Sequence, residues 1–231
     1  MKRVLLIAFV CASCFEISGQ DLYRFGILPV FNTYTKFEKN YSLNVKYENR
    51  QIFQEGSFST GENNSDYNFE RQDLTLILGK RIAPTMKLGL GYLVRFESER
   101  FVQRTLQQVA FTHSYGRIRT ANRIRTDQTW DPDEPFEFRL RYRLALEYPL
   151  FGNNLDPKEL YLKPSIEYLA RFRDQFVNEV RIVPVLGYLG KDRNSFEVGL
   201  DYRFGSILQD LRGHGFWVYF GYYLRINRNS G

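Results

Sequence analysis

Residues 136–150 read FEFRLRYRLALEYPL, and their two faces separate without exception. Every even position (Phe136, Phe138, Leu140, Tyr142, Leu144, Leu146, Tyr148 and Leu150) is apolar or aromatic, while the odd positions hold Glu137, Arg139, Arg141, Arg143, Ala145, Glu147 and Pro149. A helix, with its period of 3.6, would mix these sets; only a strand keeps them apart. At about 3.3 Å per residue, fifteen residues extend about 50 Å, longer than most globular strands and enough to cross a tilted membrane wall.

The same period returns on both sides of this stretch. Toward the N-terminus it predicts strands over 23–37, 41–53, 69–82, 86–97 and 102–113, the last glutamine-rich and poorly alternating. A strand from Arg117 to Trp130 follows, and Asp131-Pro132-Asp133-Glu134-Pro135 is a loop that no strand interior accommodates. Beyond residue 150 come 160–172, 176–188, 196–204 and 216–226, with 206–215 read as a loop. That is about eleven strands with short connections and no helical period, an all-β, antiparallel up-and-down meander. A single-chain bacterial barrel with both termini in the periplasm needs an even number, so the expectation is a transmembrane β-barrel of 10 to 12 strands, with 10 or 12 preferred.

Alternation alone does not say whether the apolar face points inward, as in a soluble carrier barrel, or toward lipid. The length of the strands favours lipid. So do aromatics gathered near strand ends, such as Phe136, Phe138 and Tyr148, and glycines on the charged face at Gly89, Gly91, Gly199 and Gly221.

No composition shift divides the 231 residues, so one domain is expected over 20–231. The start, MKRVLLIAFVCASCFEISGQ, has a basic head, an apolar run and small residues before Gln20, which predicts a signal peptide over 1–19. Both cysteines, Cys11 and Cys14, would leave with it. The mature chain would then carry 30 basic and 25 acidic residues, because Lys2, Arg3 and Glu16 are lost from 32 and 26. Beyond the apolar run no 18-residue apolar stretch could form a spanning helix. The expected location is the bacterial outer membrane. The expected partners are outer-membrane lipid and the barrel-assembly machinery, whose strand signal is approximated by Gly221-Tyr222-Tyr223-Leu224-Arg225-Ile226.

Asn122-Arg123-Ile124-Arg125-Thr126-Asp127, Phe138-Arg139-Leu140-Arg141-Tyr142-Arg143-Leu144, Glu167-Tyr168 and Asn178-Glu179-Val180-Arg181 together resemble an uncharacterised family of bacterial outer-membrane barrels, domain of unknown function 2490. The resemblance covers roughly residues 22 to 227 and is strongest from Arg117 on. The family's pattern would have His at the place of Asn122, Glu at Asp127 and Arg at Thr129. The resemblance implies a barrel and brings no activity, substrate or cofactor.

Catalytic and metal-binding residues are not expected. Histidine occurs only at His113, beside a turn, and at His214, between two glycines in a loop. His113-Ser114 lacks the His-x-Ser spacing of lipid A deacylases. No metal-ligand or phosphate-loop spacing is present, and no cofactor is called for. Export, and carboxylates on the same faces as the arginines, argue against nucleic acid.

The feature left to carry function is the charged face. It is expected to line the lumen with a basic stripe of Arg117, Arg119, Arg123, Arg125, Arg139, Arg141 and Arg143. Around the stripe stand the carboxylates Asp127, Glu137, Glu147, Glu167, Glu179, Glu197 and Asp201. Two outcomes are weighed: an anion-favouring pore for a small anionic solute, or a lumen closed by arginine–carboxylate pairs, which is preferred because buried arginines need acceptors. The leading reading is a non-enzymatic structural or narrow transport barrel of the outer membrane. A lipid-modifying hydrolase and a secreted carrier barrel remain as alternatives.

Overall fold

The computed structural model describes residues 20–98, 100–206 and 211–227, so the expected signal peptide lies outside the described residues. Eleven strands form one wall. They are β1 (Gln20–Lys36), β2 (Tyr41–Ser57), β3 (Asn68–Ala83), β4 (Met86–Phe96), β5 (Phe101–Tyr115), β6 (Ile118–Trp130), β7 (Glu137–Pro149), β8 (Glu159–Leu162 continued by Ser165–Phe172), β9 (Phe176–Val183 continued by Val185–Leu189), β10 (Ser195–Gly205) and β11 (Leu211–Asn227). Neighbours in sequence pair antiparallel all the way round. β1 then meets β11 and closes the barrel.

The closing pair differs from the sequence expectation in a specific way. An up-and-down chain of eleven strands returns with its last strand running in the direction of its first, so β1 and β11 pair in parallel, from Gln20 beside Leu211 to Lys36 beside Asn227. The count falls within 10 to 12, but it is odd, and the sheet is mixed rather than wholly antiparallel. The even-number argument failed because it assumed termini on one side. Here β1 begins at the end carrying the 58–67 loop, and β11 finishes at the opposite end with the 116–117 and 84–85 turns. These are called below the loop end and the turn end.

Two strands are interrupted at prolines that stand opposite one another, Pro164 in β8 and Pro184 in β9. Proline has no N–H to give to the ladder. Its carbonyl still accepts, however: Leu146 N–H donates to Pro164 O at 2.9 Å and Leu200 N–H to Pro184 O at 3.3 Å. The wall therefore stays continuous through both breaks. β11 starts at Leu211, five residues earlier than the alternation suggested, so His214 lies in a strand and not in a loop.

The strand faces sort as period 2 requires. Along β7, Leu140 and Tyr142 are exposed outside, 43% and 45%, whereas Glu137 is fully buried. Outward aromatics join into a band at the loop end: Phe96 on Phe101 at 5.1 Å, Trp130 on Phe136 at 5.8 Å, Phe138 on Phe172 at 6.1 Å and Phe172 on Phe176 at 5.2 Å. Inside, the packing is divided. An apolar cluster of Leu28, Val30, Ile52, Val185, Trp217 and Tyr219 fills the side next to the β1–β11 seam, and charged side chains occupy the rest. Inward glycines make room for aromatic rings, as at Gly187, where a Cβ would come within 2.2 Å of the Tyr161 ring.

Candidate functional site

Inward positions of β6 and β7 face each other across the ladder as Arg125 beside Arg141 and Arg123 beside Arg143. Like charges directly opposite are destabilising unless something lies between them. Two carboxylates do. Glu167, supplied by β8 where the register sets it beside Arg143 and Arg181, takes Arg123 Nη2 at 2.9 Å, is hydrogen-bonded by Arg141, and has Arg181 Nη1 at 3.5 Å. Asp127, wholly buried, accepts from Arg125 Nε at 2.5 Å and has Arg141 Nη1 at 3.5 Å. Arg143 is the exception. Its Nη2 donates to Ser165 Oγ at 3.1 Å, and no carboxylate among the described residues lies within ion-pair distance.

The pattern repeats around the wall. Glu137 accepts from Arg139, and Arg173 Nη2 donates to it at 2.9 Å. Asp201 takes a two-pronged contact from Arg203 at 2.7 and 2.9 Å, and Asp73 a similar one from Arg95 at 2.7 and 2.9 Å. Such forked pairs are the strongest form of arginine–carboxylate contact. Glu179 accepts from Arg181; Glu197 accepts from Lys163 and from Tyr161 Oη, the latter at 2.7 Å. Among the loops, Arg100 donates to Glu97 at 2.6 Å and reaches Glu134 at 3.1 Å; the Glu97 hydrogen bond raises its already high pKa.

Of the residues expected from the sequence, Arg123, Arg125, Arg139, Arg141 and Arg143 come together with Asp127, Glu137 and Glu167. Arg117 and Arg119 do not. Arg117 precedes β6 and lies over the Tyr148 ring at 4.8 Å, donating to Pro149 O at 3.0 Å, while Arg119, 57% exposed at its side chain, reaches Glu147 at 3.5 Å on the turn-end rim. The sequence reading left out Arg50, Arg71, Arg95, Arg104, Arg181, Arg203, Asp73 and Glu70. The period-2 rule that found β7 places all of them but Glu70 on inward faces; Glu70, next to Arg71, is the extra residue of a bulge where the β2–β3 register shifts between Arg50 and Gln51.

Water-accessible space runs through the interior as three chambers: about 720 Å³ at the loop end, about 330 Å³ in the middle and about 330 Å³ at the turn end. Arg50, Arg71, Arg139, Arg181 and Arg203 border both of the first two, forming a cationic collar. Asn32, Asn44, Lys163, Glu197 and Tyr223 border both of the last two.

The two histidines lie apart. His113 is exposed near the turn end of β5 beside Tyr115. His214 packs among Phe58, Phe204 and Phe216, with Tyr202 Oη 2.9 Å from Nδ1 and Asp21 3.9 Å from Nε2. Among the described residues no group of His, Cys, Asp and Glu has the arrangement of a metal site.

No curated protein and no solved structure matches the chain. The model of one family, described as protein of unknown function (DUF2490), matches residues 28–209, most of the eleven-stranded wall and all of the paired charges described for β6 to β8. The closed barrel with its arginine–carboxylate interior is thus the form taken by a chain that belongs to the DUF2490 family.

Proposed function

We propose that this chain is an exported bacterial outer-membrane β-barrel without enzymatic activity, structural or narrowly conducting, whose arginine-rich lumen is held nearly shut by carboxylates. The observation that carries the reading is the outer face. Large hydrophobic side chains stand exposed on strand after strand, from Leu76, Leu78 and Leu90 on one side to Ile166, Leu186 and Phe220 on another. Isolated exposed hydrophobics are ordinary on a soluble protein, but a continuous apolar belt around a closed barrel calls for lipid. A secreted carrier would keep that belt inside.

The aromatic band at the loop end matches the interfacial girdle of such barrels. With short turns in the periplasm, the loop end and its larger chamber face outward. The lumen preference is supported by Asp127 and Glu137, both fully buried against arginines of β6 and β7. Against a lipid hydrolase stands the separation of His113, near the turn end, from His214, near the loop end.

Fractionation tests the reading. The protein should sediment with outer membranes and change its gel mobility on heating, as closed barrels do; recovery in the soluble periplasm would overturn it. Lipid A and phospholipid profiles of an overproducing strain should be unchanged, and a new deacylated species would instead make the protein an enzyme.

A further inference from the structure

The carboxylates that pair the arginines in the middle of the barrel have counterparts at the loop end, but arginines outnumber them there. On one wall, Arg24, Arg50 and Arg71 divide two carboxylates between them. Glu55 is 3.2 Å from Arg24, and Glu70 lies 4.0, 3.4 and 3.8 Å from Arg24, Arg50 and Arg71. Neither the Nε of Arg50 nor that of Arg71 finds a hydrogen-bond partner among the described residues, although both atoms are buried and Arg50 is only 8% exposed. Its guanidinium lies over the Trp217 ring at 4.7 Å, which fixes it in place without neutralising it.

On the second wall one carboxylate, Glu137, serves Arg139, Arg171 at 3.7 Å and Arg173 at 2.9 Å; Glu134 contacts Arg173 and also Arg100, which pairs with Glu97 and Asp131 besides. In an eleven-strand ring, β2, which carries Arg50, and β8, which carries Arg171, are separated by five strands one way and four the other, so the two walls oppose one another. The space between them is the chamber of about 720 Å³, within the range of small-molecule sites, and Leu22, Leu169 and Val177 line it beside the arginines.

We propose that this chamber binds a small organic dianion of the phosphate-monoester type, its charge held between the Arg50–Arg71 wall and Arg171 and its apolar part against Leu169 and Val177. Seven arginines and four glutamates line the chamber, and a dianion adds charge of the sign that this lining lacks. The guanidinium fork matches phosphate oxygens, and the low-dielectric wall strengthens the contact. Glu62, also at this chamber, is exposed in the loop at its mouth and would not oppose a ligand seated deeper.

The test is calorimetric titration of the detergent-purified, heat-modifiable barrel with phenyl phosphate, phenol and inorganic phosphate as probes. Phenyl phosphate is expected to bind saturably and more tightly than inorganic phosphate, with phenol silent. Arg171→Gln, whose side chain is 37% exposed and whose loss the fold tolerates best, is expected to weaken phenyl phosphate at least tenfold, and Arg50→Gln to do the same where it assembles. Absence of saturable phenyl phosphate binding, or an unchanged affinity in assembled Arg171→Gln, would overturn the proposal; equal binding of inorganic phosphate would overturn the organic part of it. Because binding is measured in detergent, its failure is separate from a failure of the outer-membrane reading, which fractionation decides.

Discussion

Glu167 concentrates the energetics of the interior in one side chain. It is 5% exposed and stands among Arg123, Arg141 and Arg181, so its removal would leave three guanidinium groups near one another without their common acceptor. Breaking a buried pair by deleting one partner costs about 3–5 kcal/mol, because the remaining charge stays desolvated. Glu167→Ala is therefore expected to lower the thermal midpoint of the purified barrel markedly. If water fills the stripe instead, stability will be nearly unchanged and anion conductance in a planar bilayer will rise. Gly187 makes a second residue-scale case. Gly187→Val would push the Tyr161 ring from its place and with it the 2.7 Å hydrogen bond to Glu197, so a comparable loss of stability is expected there. The Glu167–arginine contact could be expected from the sequence because period 2 sets Glu167 and the arginines on the same face. The Tyr161–Gly187 contact could not, since it depends on the register of β8 against β9.

At the scale of elements, β7 behaves as its sequence says, with Leu140 outside and Arg141 inside. An outward Arg costs about 2–4 kcal/mol at a bilayer midplane and less toward the interface, so Leu140→Arg is expected to reduce the assembled, heat-modifiable fraction, whereas Leu140→Val will not. Normal assembly of Leu140→Arg would mean that this face does not meet lipid. Two elements were harder to read. β5, with glutamines at 103, 107 and 108, alternates poorly, yet it pairs with β6 from Gln103 to Tyr115, because hydrogen-bonded neighbours impose strand structure whatever the side chains prefer. The start of β11 was hidden by Gly213 and Gly215, which look like turn residues but lie in the ladder beside Leu22 and Arg24 of β1.

For the whole molecule, the sequence made closure, a range of 10 to 12 strands and facing legible, but neither the odd count nor the direction of the closing pair. Counting periods cannot distinguish a genuine eleventh strand from a miscounted tenth or twelfth. What settles it is a long-range pairing between the two ends of the chain, invisible to local patterns. The parallel seam sets Thr33 beside Leu224. Since the only native cysteines are Cys11 and Cys14, the pair Thr33→Cys and Leu224→Cys is expected to cross-link on oxidation in a chain begun at Gln20. Thr33→Cys with Tyr219→Cys, five positions out of register, is not. The reverse outcome would replace the parallel closure.

The facing of the barrel in a bilayer is open to direct measurement through its two tryptophans. Trp130 stands outside, 48% exposed in the aromatic band, and Trp217 is 2% exposed inside. Reconstitution into lipid brominated along the acyl chains quenches indoles that touch hydrocarbon. Strong quenching is expected for Leu140→Trp in a Trp130→Phe, Trp217→Phe background, and little for native Trp217 when Trp130→Phe is the only change. Quenching of Trp217 with Leu140→Trp left bright would contradict the apolar-out, charge-in barrel at its root.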